Sequence, residues 1–249
     1  MSATANAPGA TGNRERYLGL LVLGQSNAGC HGPTPGNCAD PRCAVVFENR
    51  RQLIADPLPG TTGSGGSIWP RVAARLMASG AVDRFTVRLA AIAGARMADL
   101  APGGQFHPMV ASVLAHAANG DVPVTHVLIH QGEADTRFNT AGAAYRASFL
   151  ALEKAIRDRG IEAPVILCRA SWRFGVRNPE VHAMQTELGA GPGRIAGPDT
   201  DILENDMRVD GTHFSEAGQD AFAARLVETC LPLIPMRGAV PETPARARR

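Results

Sequence analysis

No stretch of this 249-residue chain approaches the roughly 20 consecutive apolar residues that a bilayer span requires, so no membrane partner is expected. Charge of one sign is also lacking. Lys and Arg number 25 against 23 Asp and Glu, and the net +2 is too small to argue for nucleic acid or an anionic lipid surface. Part of that surplus sits near the end, in Arg237, Arg246, Arg248 and Arg249, which leaves the body closer to neutral. The opening residues, Met1 to Gly12, lack the basic-then-apolar order of a secretory signal, and a cytoplasmic location is expected. Internal repeats are absent.

Cysteine is scarce and odd in number. Five thiols without a secretory context argue against a disulfide framework. Cys168 and Cys230 stand in apolar patterns and are read as small core residues. Cys30, Cys38 and Cys43 cluster in one loop, where a zinc ion would need a fourth ligand such as His31. Their spacing fits no zinc motif. Free thiols are the expectation, with a local bridge between Cys38 and Cys43 the next reading and zinc the last. Two motifs are missing as well. Gly63-Ser64-Gly65-Gly66 precedes a helix but lacks the Gly-Lys-Ser/Thr ending of a phosphate loop, so it is read as a flexible loop. Ser26 is followed two residues later by Ala28, which excludes the Gly-x-Ser-x-Gly elbow.

What is present is a full core's worth of apolar residues, 45% of the chain, arranged as alternating strands and helices. Residues 17–23 form a continuous apolar run, the pattern of a strand covered on both faces. Further strands are expected at 44–47, 85–92, 124–129, 165–168 and 194–196. Helices are expected after Ser67 and over 108–119, 141–159, 179–188 and 215–231. Tyr145, Phe149, Leu152 and Ile156 recur at helical spacing, and Ser215 caps the last helix. Strands alternating with helices imply a mostly parallel sheet with helices on both faces, here one domain over 16–231. Residues 1–15 read as a disordered lead and 232–249 as a Pro- and Arg-rich tail.

Polar residues cluster where strands end: Gly24-Gln25-Ser26-Asn27, the turn at Gly94, His130-Gln131-Gly132-Glu133-Ala134-Asp135 and Asp210-Gly211-Thr212-His213. A parallel sheet puts all carboxyl ends on one edge, so these segments converge although they are far apart in the chain. Asp210 and His213, three apart on one loop, supply the orienter and base that a serine hydroxyl needs. Taken singly, the pair also reads as a helix cap, and Ser26 as an ordinary turn residue. His130, Glu133 and Asp135 admit a metal reading, against which stand their alternating directions at a strand end and an incomplete ligand set. Arg96 can meet a substrate carboxylate or pair with Asp99. Trp69 and Trp172 can stack on a sugar or pack in the core.

These four blocks together resemble those of the SGNH (GDSL-type) hydrolase superfamily, over about residues 17–231. The glutamine-containing first and third blocks resemble, within it, the sialate O-acetylesterase-like enzymes and the sixth carbohydrate-esterase family, which includes acetylxylan esterases. The resemblance implies a three-layer αβα, flavodoxin-like fold with about five strands. It implies a cofactor-free serine esterase acting on a small-molecule or glycan ester, with Ser26 as nucleophile, His213 as base and then acid, and Asp210 as orienter. It also implies an oxyanion hole made by the N–H groups of Ser26 and Gly94 and the side-chain amide of Gln131, each donor worth roughly 2.7–4 kcal/mol. Gln25, Asn27, Glu133 and Arg96 are expected around this centre, with Glu133 orienting Gln131 or the loop around Ser26. The alternatives are a lipase or thioesterase on the same fold and a non-catalytic carbohydrate- or partner-binding domain.

Overall fold

The structure, a computed structural model describing residues 15–234, follows the alternating pattern closely. Its elements are β1 (Tyr17–Gly24), β2 (Asn37–Cys38), β3 (Cys43–Phe47), β4 (Arg50–Gln52), β5 (Ile54–Ala55), α1 (Trp69–Ala78), β6 (Arg84–Ala91) and α2 (Met97–Leu100). They continue with α3 (His107–Asn119), β7 (His126–His130), α4 (Glu133–Arg137), α5 (Gly142–Arg157), β8 (Val165–Arg169), α6 (Pro179–Gly189), β9 (Arg194–Asp199) and α7 (Glu216–Cys230). The lead over 1–14 and the tail beyond residue 234 lie outside the described residues. No helix among the described residues is long and apolar enough to cross a membrane.

Seven strands form one sheet in the order β4-β3-β6-β1-β7-β8-β9, all parallel except β4, which folds back antiparallel on β3. Without the β3–β4 hairpin the order is that of flavodoxin, 2-1-3-4-5, as expected for about five principal strands. The hairpin itself was not expected. Its turn residues Glu48 and Asn49 have φ of 46° and 60°, a type I′ connection. Arg50, Arg51 and Gln52 carry no apolar alternation and are all exposed, as suits an edge strand.

β1 is central and buried on both sides. Leu18, Leu20 and Val22 pack with Val72 and Leu76 of α1 and with Phe222 and Leu226 of α7. The alternate residues Leu21 and Leu23 pack with Val110, Phe149, Leu152 and Val181 from α3, α5 and α6. A continuous apolar run is therefore what this position requires, because successive side chains enter opposite layers. Ser215 accepts the Gly218 N–H and caps α7 as expected. Ser67 precedes α1 without capping it in the expected way. Its hydroxyl donates to Asp56 and lies 3.3 Å from the Trp69 nitrogen. The glycine run before it is pinned by paired bonds between Gly32 and Gly66 of 2.8 and 2.9 Å.

Candidate active site

The register of the sheet sets the site. Gly24, the last residue of β1, stands opposite Ala91 at the end of β6 and His130 at the end of β7. The chain therefore leaves three adjacent strands at one level, carrying Ser26, Gly94 and Gln131 to the same edge. β1 is also where the strand order reverses, the crevice in which open α/β sheets bind ligands. Ser26 opens a single 3₁₀ turn, Ser26–Ala28, closed by the Gly29 N–H donating to the Ser26 carbonyl at 2.9 Å. The Trp69 indole N–H donates to the Ala28 carbonyl at 2.9 Å, so this fully buried tryptophan braces the serine turn.

Asp210 and His213 form one compact unit. The Asp210 carboxylate accepts the N–H groups of Thr212 (2.9 Å) and His213 (2.7 Å) on one oxygen and His213 Nδ1 (2.6 Å) on the other. A carboxylate only accepts, so Nδ1 carries the proton and Nε2 keeps the lone pair a base needs. Burial pushes the Asp210 carboxyl up, but these three donors outweigh it and hold it below the ordinary value. The His213 ring stacks on that of His31, centroids 5.2 Å apart and planes within 16°. His31 Nε2 lies 3.0 Å from the Thr62 hydroxyl, which accepts the Ala93 N–H at 2.8 Å. His31 is thus a neighbour of the candidate base, and burial, followed by the unfavourable pairing of two stacked imidazoles, lowers its pKa.

Asn27 ties the two halves together. Its Nδ2 donates to the Thr212 carbonyl at 3.0 Å, and its Oδ1 accepts the Phe214 N–H at 3.1 Å. The residue after the serine therefore grips both backbone neighbours of His213. The same Nδ2 donates to Glu133 Oε1 at 2.7 Å. Glu133 is 1% exposed, and burial raises its pKa despite that bond and the nearby Arg208 charge. Of the two expected roles for Glu133, the contact is with the loop around Ser26. Arg208, also buried, donates to the carbonyls of Thr200, Leu203 and Thr212 and lies 4.3 Å from the Phe214 ring centroid. It closes the long loop that carries His213 back across the edge from β9.

On the other side, Gly94 has φ of 71° and ends the turn begun at Ile92, whose carbonyl accepts the Ala95 N–H at 3.2 Å. Only glycine adopts this conformation without cost, and a Cβ there would meet nothing within 4 Å, so this face of the turn is open. Gln131 is fully buried. Its Nε2 lies 2.6 Å from Asp135, 2.9 Å from the Ala95 carbonyl and 3.3 Å from Gln25 Oε1. Three acceptors around one nitrogen fix the amide's orientation, and its two hydrogens are already engaged by protein oxygens. Gln25 Oε1 also accepts the Ala134 N–H at 3.0 Å. Arg96 pairs with Asp99 through two bonds of 3.0 Å, the second of its expected fates, and together they cap α2.

His130, Glu133 and Asp135 do not share one space. His130 faces Thr200 at 3.0 Å and the Phe222 ring at 4.7 Å, Glu133 faces Asn27, and Asp135 takes the Met97 N–H at 2.9 Å. The segment from Glu133 is a short helix, not the extended strand end from which alternating directions were expected. His182, Asp199 and Asp201 approach one another, but both Asp201 oxygens are already taken by Ser171 and Trp172 donors at 2.6–2.8 Å. Cys30, Cys38 and Cys43 are free and buried, and Cys30 accepts the Leu58 N–H at 3.1 Å. Trp172 is buried beneath Arg177. The reading from sequence missed Arg208 and His31 as neighbours of His213. Arg208 stands two residues before Asp210, and that adjacency was the available signal.

No protein-family model matches the chain, and none of the curated proteins compared does so. Solved structures do share its fold. A protein from Arabidopsis thaliana superposes with a TM-score of 0.68 at 16% identity, over 88% of this chain and 99% of that one. A GDSL-like lipase from Parabacteroides merdae gives 0.59 at 15% identity, over 88% and 98%. A carbohydrate esterase of family 3 from Talaromyces cellulolyticus gives 0.57 at 12% identity, over 87% and 97%. The chain shares with these structures, a carbohydrate esterase and a GDSL-like lipase among them, a mostly parallel central sheet flanked by helices.

Proposed function

We propose that this chain is a serine esterase that removes acetyl or other short acyl groups, with a carbohydrate hydroxyl as the alcohol. The observation that carries the reading is the Asp210/His213 pair, hydrogen-bonded at 2.6 Å, with both backbone neighbours of His213 held by the residue that follows Ser26. In this mechanism the Ser26 hydroxyl attacks the ester carbonyl while His213 Nε2 takes its proton. Asp210 keeps the imidazole in the required tautomer and stabilises the imidazolium that forms. His213 returns the proton to the departing alcohol, and an activated water then hydrolyses the acyl-enzyme. The oxyanion is assigned to the N–H groups of Ser26 and Gly94. Gln131 is the third donor if one of its N–H groups turns from Ala95 or Asp135 toward the substrate.

The carbohydrate part rests on the glutamine-containing blocks of the sequence and on the fold shared with a carbohydrate esterase. The test is hydrolysis of p-nitrophenyl acetate by the wild type beside Ser26→Ala. A loss on the order of 10³-fold or more is expected, and equal rates would remove the nucleophile assignment. Butyrate and longer esters in the same assay separate a short-acyl enzyme from a lipase. An acetylated glycoside against a simple alkyl acetate tests the carbohydrate.

A further inference from the structure

Beside the 210–213 turn, a two-residue hairpin holds a phenylalanine out into solvent. Arg173 and Val176 bond reciprocally at 2.8 and 3.0 Å, and between them Phe174 and Gly175 have φ of 48° and 78°. This is a type I′ turn, whose first position favours Asn, Asp or Gly and penalises a bulky aromatic. Phe174 is nevertheless 61% exposed. Neither its backbone nor its exposure is explained by stability, and strain of this kind concentrates at functional sites. The hairpin is fixed to the site itself. The Phe174 N–H donates to the Gly211 carbonyl at 2.8 Å, and a Cβ on Gly211 would lie 2.8 Å from the Phe174 ring. The Arg173 guanidinium lies 4.7 Å from the ring centroid, and Val209, next to Asp210, is 55% exposed.

In the proposed mechanism His213 protonates the leaving alcohol, so the alcohol portion of the ester lies on the His213 side of Ser26. Phe174 rests on the same turn. Resting on the acetylesterase reading above, we infer that Phe174 is the platform on which the alcohol portion docks, a sugar ring laying its C–H face on the phenyl ring, with Arg173 donating to its oxygens. An exposed aromatic residue with a cation against its ring suits a pyranose, apolar on its faces and ringed by hydroxyls. Phe174→Asn is the variant of choice, because asparagine accepts the left-handed turn and keeps the hairpin.

The kcat/KM ratio between a monoacetylated methyl pyranoside and acyclic methoxyethyl acetate is predicted to fall about 10-fold in Phe174→Asn. An unaltered ratio overturns the assignment. A second measurement does not depend on catalysis: saturation-transfer NMR of the unacetylated methyl pyranoside on Ser26→Ala and on Ser26→Ala with Phe174→Asn. Transfer to the ring C–H protons in the first protein and its loss in the second supports the platform. Equal transfer in both, or none in either, overturns it. If wild type and Ser26→Ala hydrolyse acetates equally, the esterase reading fails, and this binding comparison still decides the role of Phe174.

Discussion

Truncating Asn27 to alanine removes the three hydrogen bonds that join the serine turn, the His213 turn and Glu133. The Thr212 carbonyl keeps Arg208 as a donor at 2.5 Å, but the Phe214 N–H and Glu133 Oε1 lose their partner in a region where Asn27 is 5% and Glu133 1% exposed. Each buried polar group left unsatisfied costs about 1–3 kcal/mol, so Asn27→Ala should destabilise the fold by about 2–6 kcal/mol. That is a large share of the roughly 5–15 kcal/mol a domain of this kind possesses. Urea unfolding reads it directly, as a lower midpoint at constant slope. Glu133→Gln retains an oxygen acceptor for Asn27 and should cost less. The double variant Asn27→Ala with Glu133→Ala should be non-additive by about 0.5–3 kcal/mol, since the two residues share one bond. A stability within about 0.5 kcal/mol of wild type for Asn27→Ala would contradict a buried tie at Asn27, because surface-like changes fall in that range.

Gln131→Ala should lower kcat by on the order of 10²–10³-fold if its amide turns to the oxyanion, whereas a loss under about tenfold confines Gln131 to holding Ala95 and Asp135. Burial, reinforced by Arg208, holds the His130 imidazole down at about 3 from its ordinary 6.5. A base depressed on folding takes up a proton on unfolding, so its contribution is complete above 6.5 and is lost as pH falls toward 3. Stability should decline there by up to about 1.4 kcal/mol per pH unit from this group, and His130→Phe should show a shallower decline in urea midpoints. Parallel curves for the two proteins would exclude His130 as the source.

The fold was legible where periodicity and burial agree. Tyr145, Phe149, Leu152 and Ile156 are all fully buried on α5, and the run over β1 divides between two core layers. Short elements without a full apolar period escaped: β4 is three exposed residues, and α4 is five residues after a glycine. At the site, the four blocks could be named because strand ends in a parallel sheet converge. Their internal wiring could not. Asn27 was a flanking amide in the sequence, and only the fold brings it between Thr212 and Phe214, 185 and 187 positions away. Arg208 reads as one more surface cation until its guanidinium is seen closing three carbonyls of one loop. Phe174 carries no helical or strand period at all, since its position is set by a turn type that its own side chain disfavours.

The proposed function stands or falls on acylation of Ser26 with the help of His213. The most direct measurement is labelling with a fluorophosphonate, whose phosphorus is attacked by an activated serine oxygen with loss of fluoride, followed by peptide mapping of the phosphonylated serine. One adduct is expected, on Ser26, absent in Ser26→Ala and strongly slowed in His213→Ala. An unlabelled wild type, or an adduct on a serine other than Ser26, would contradict it.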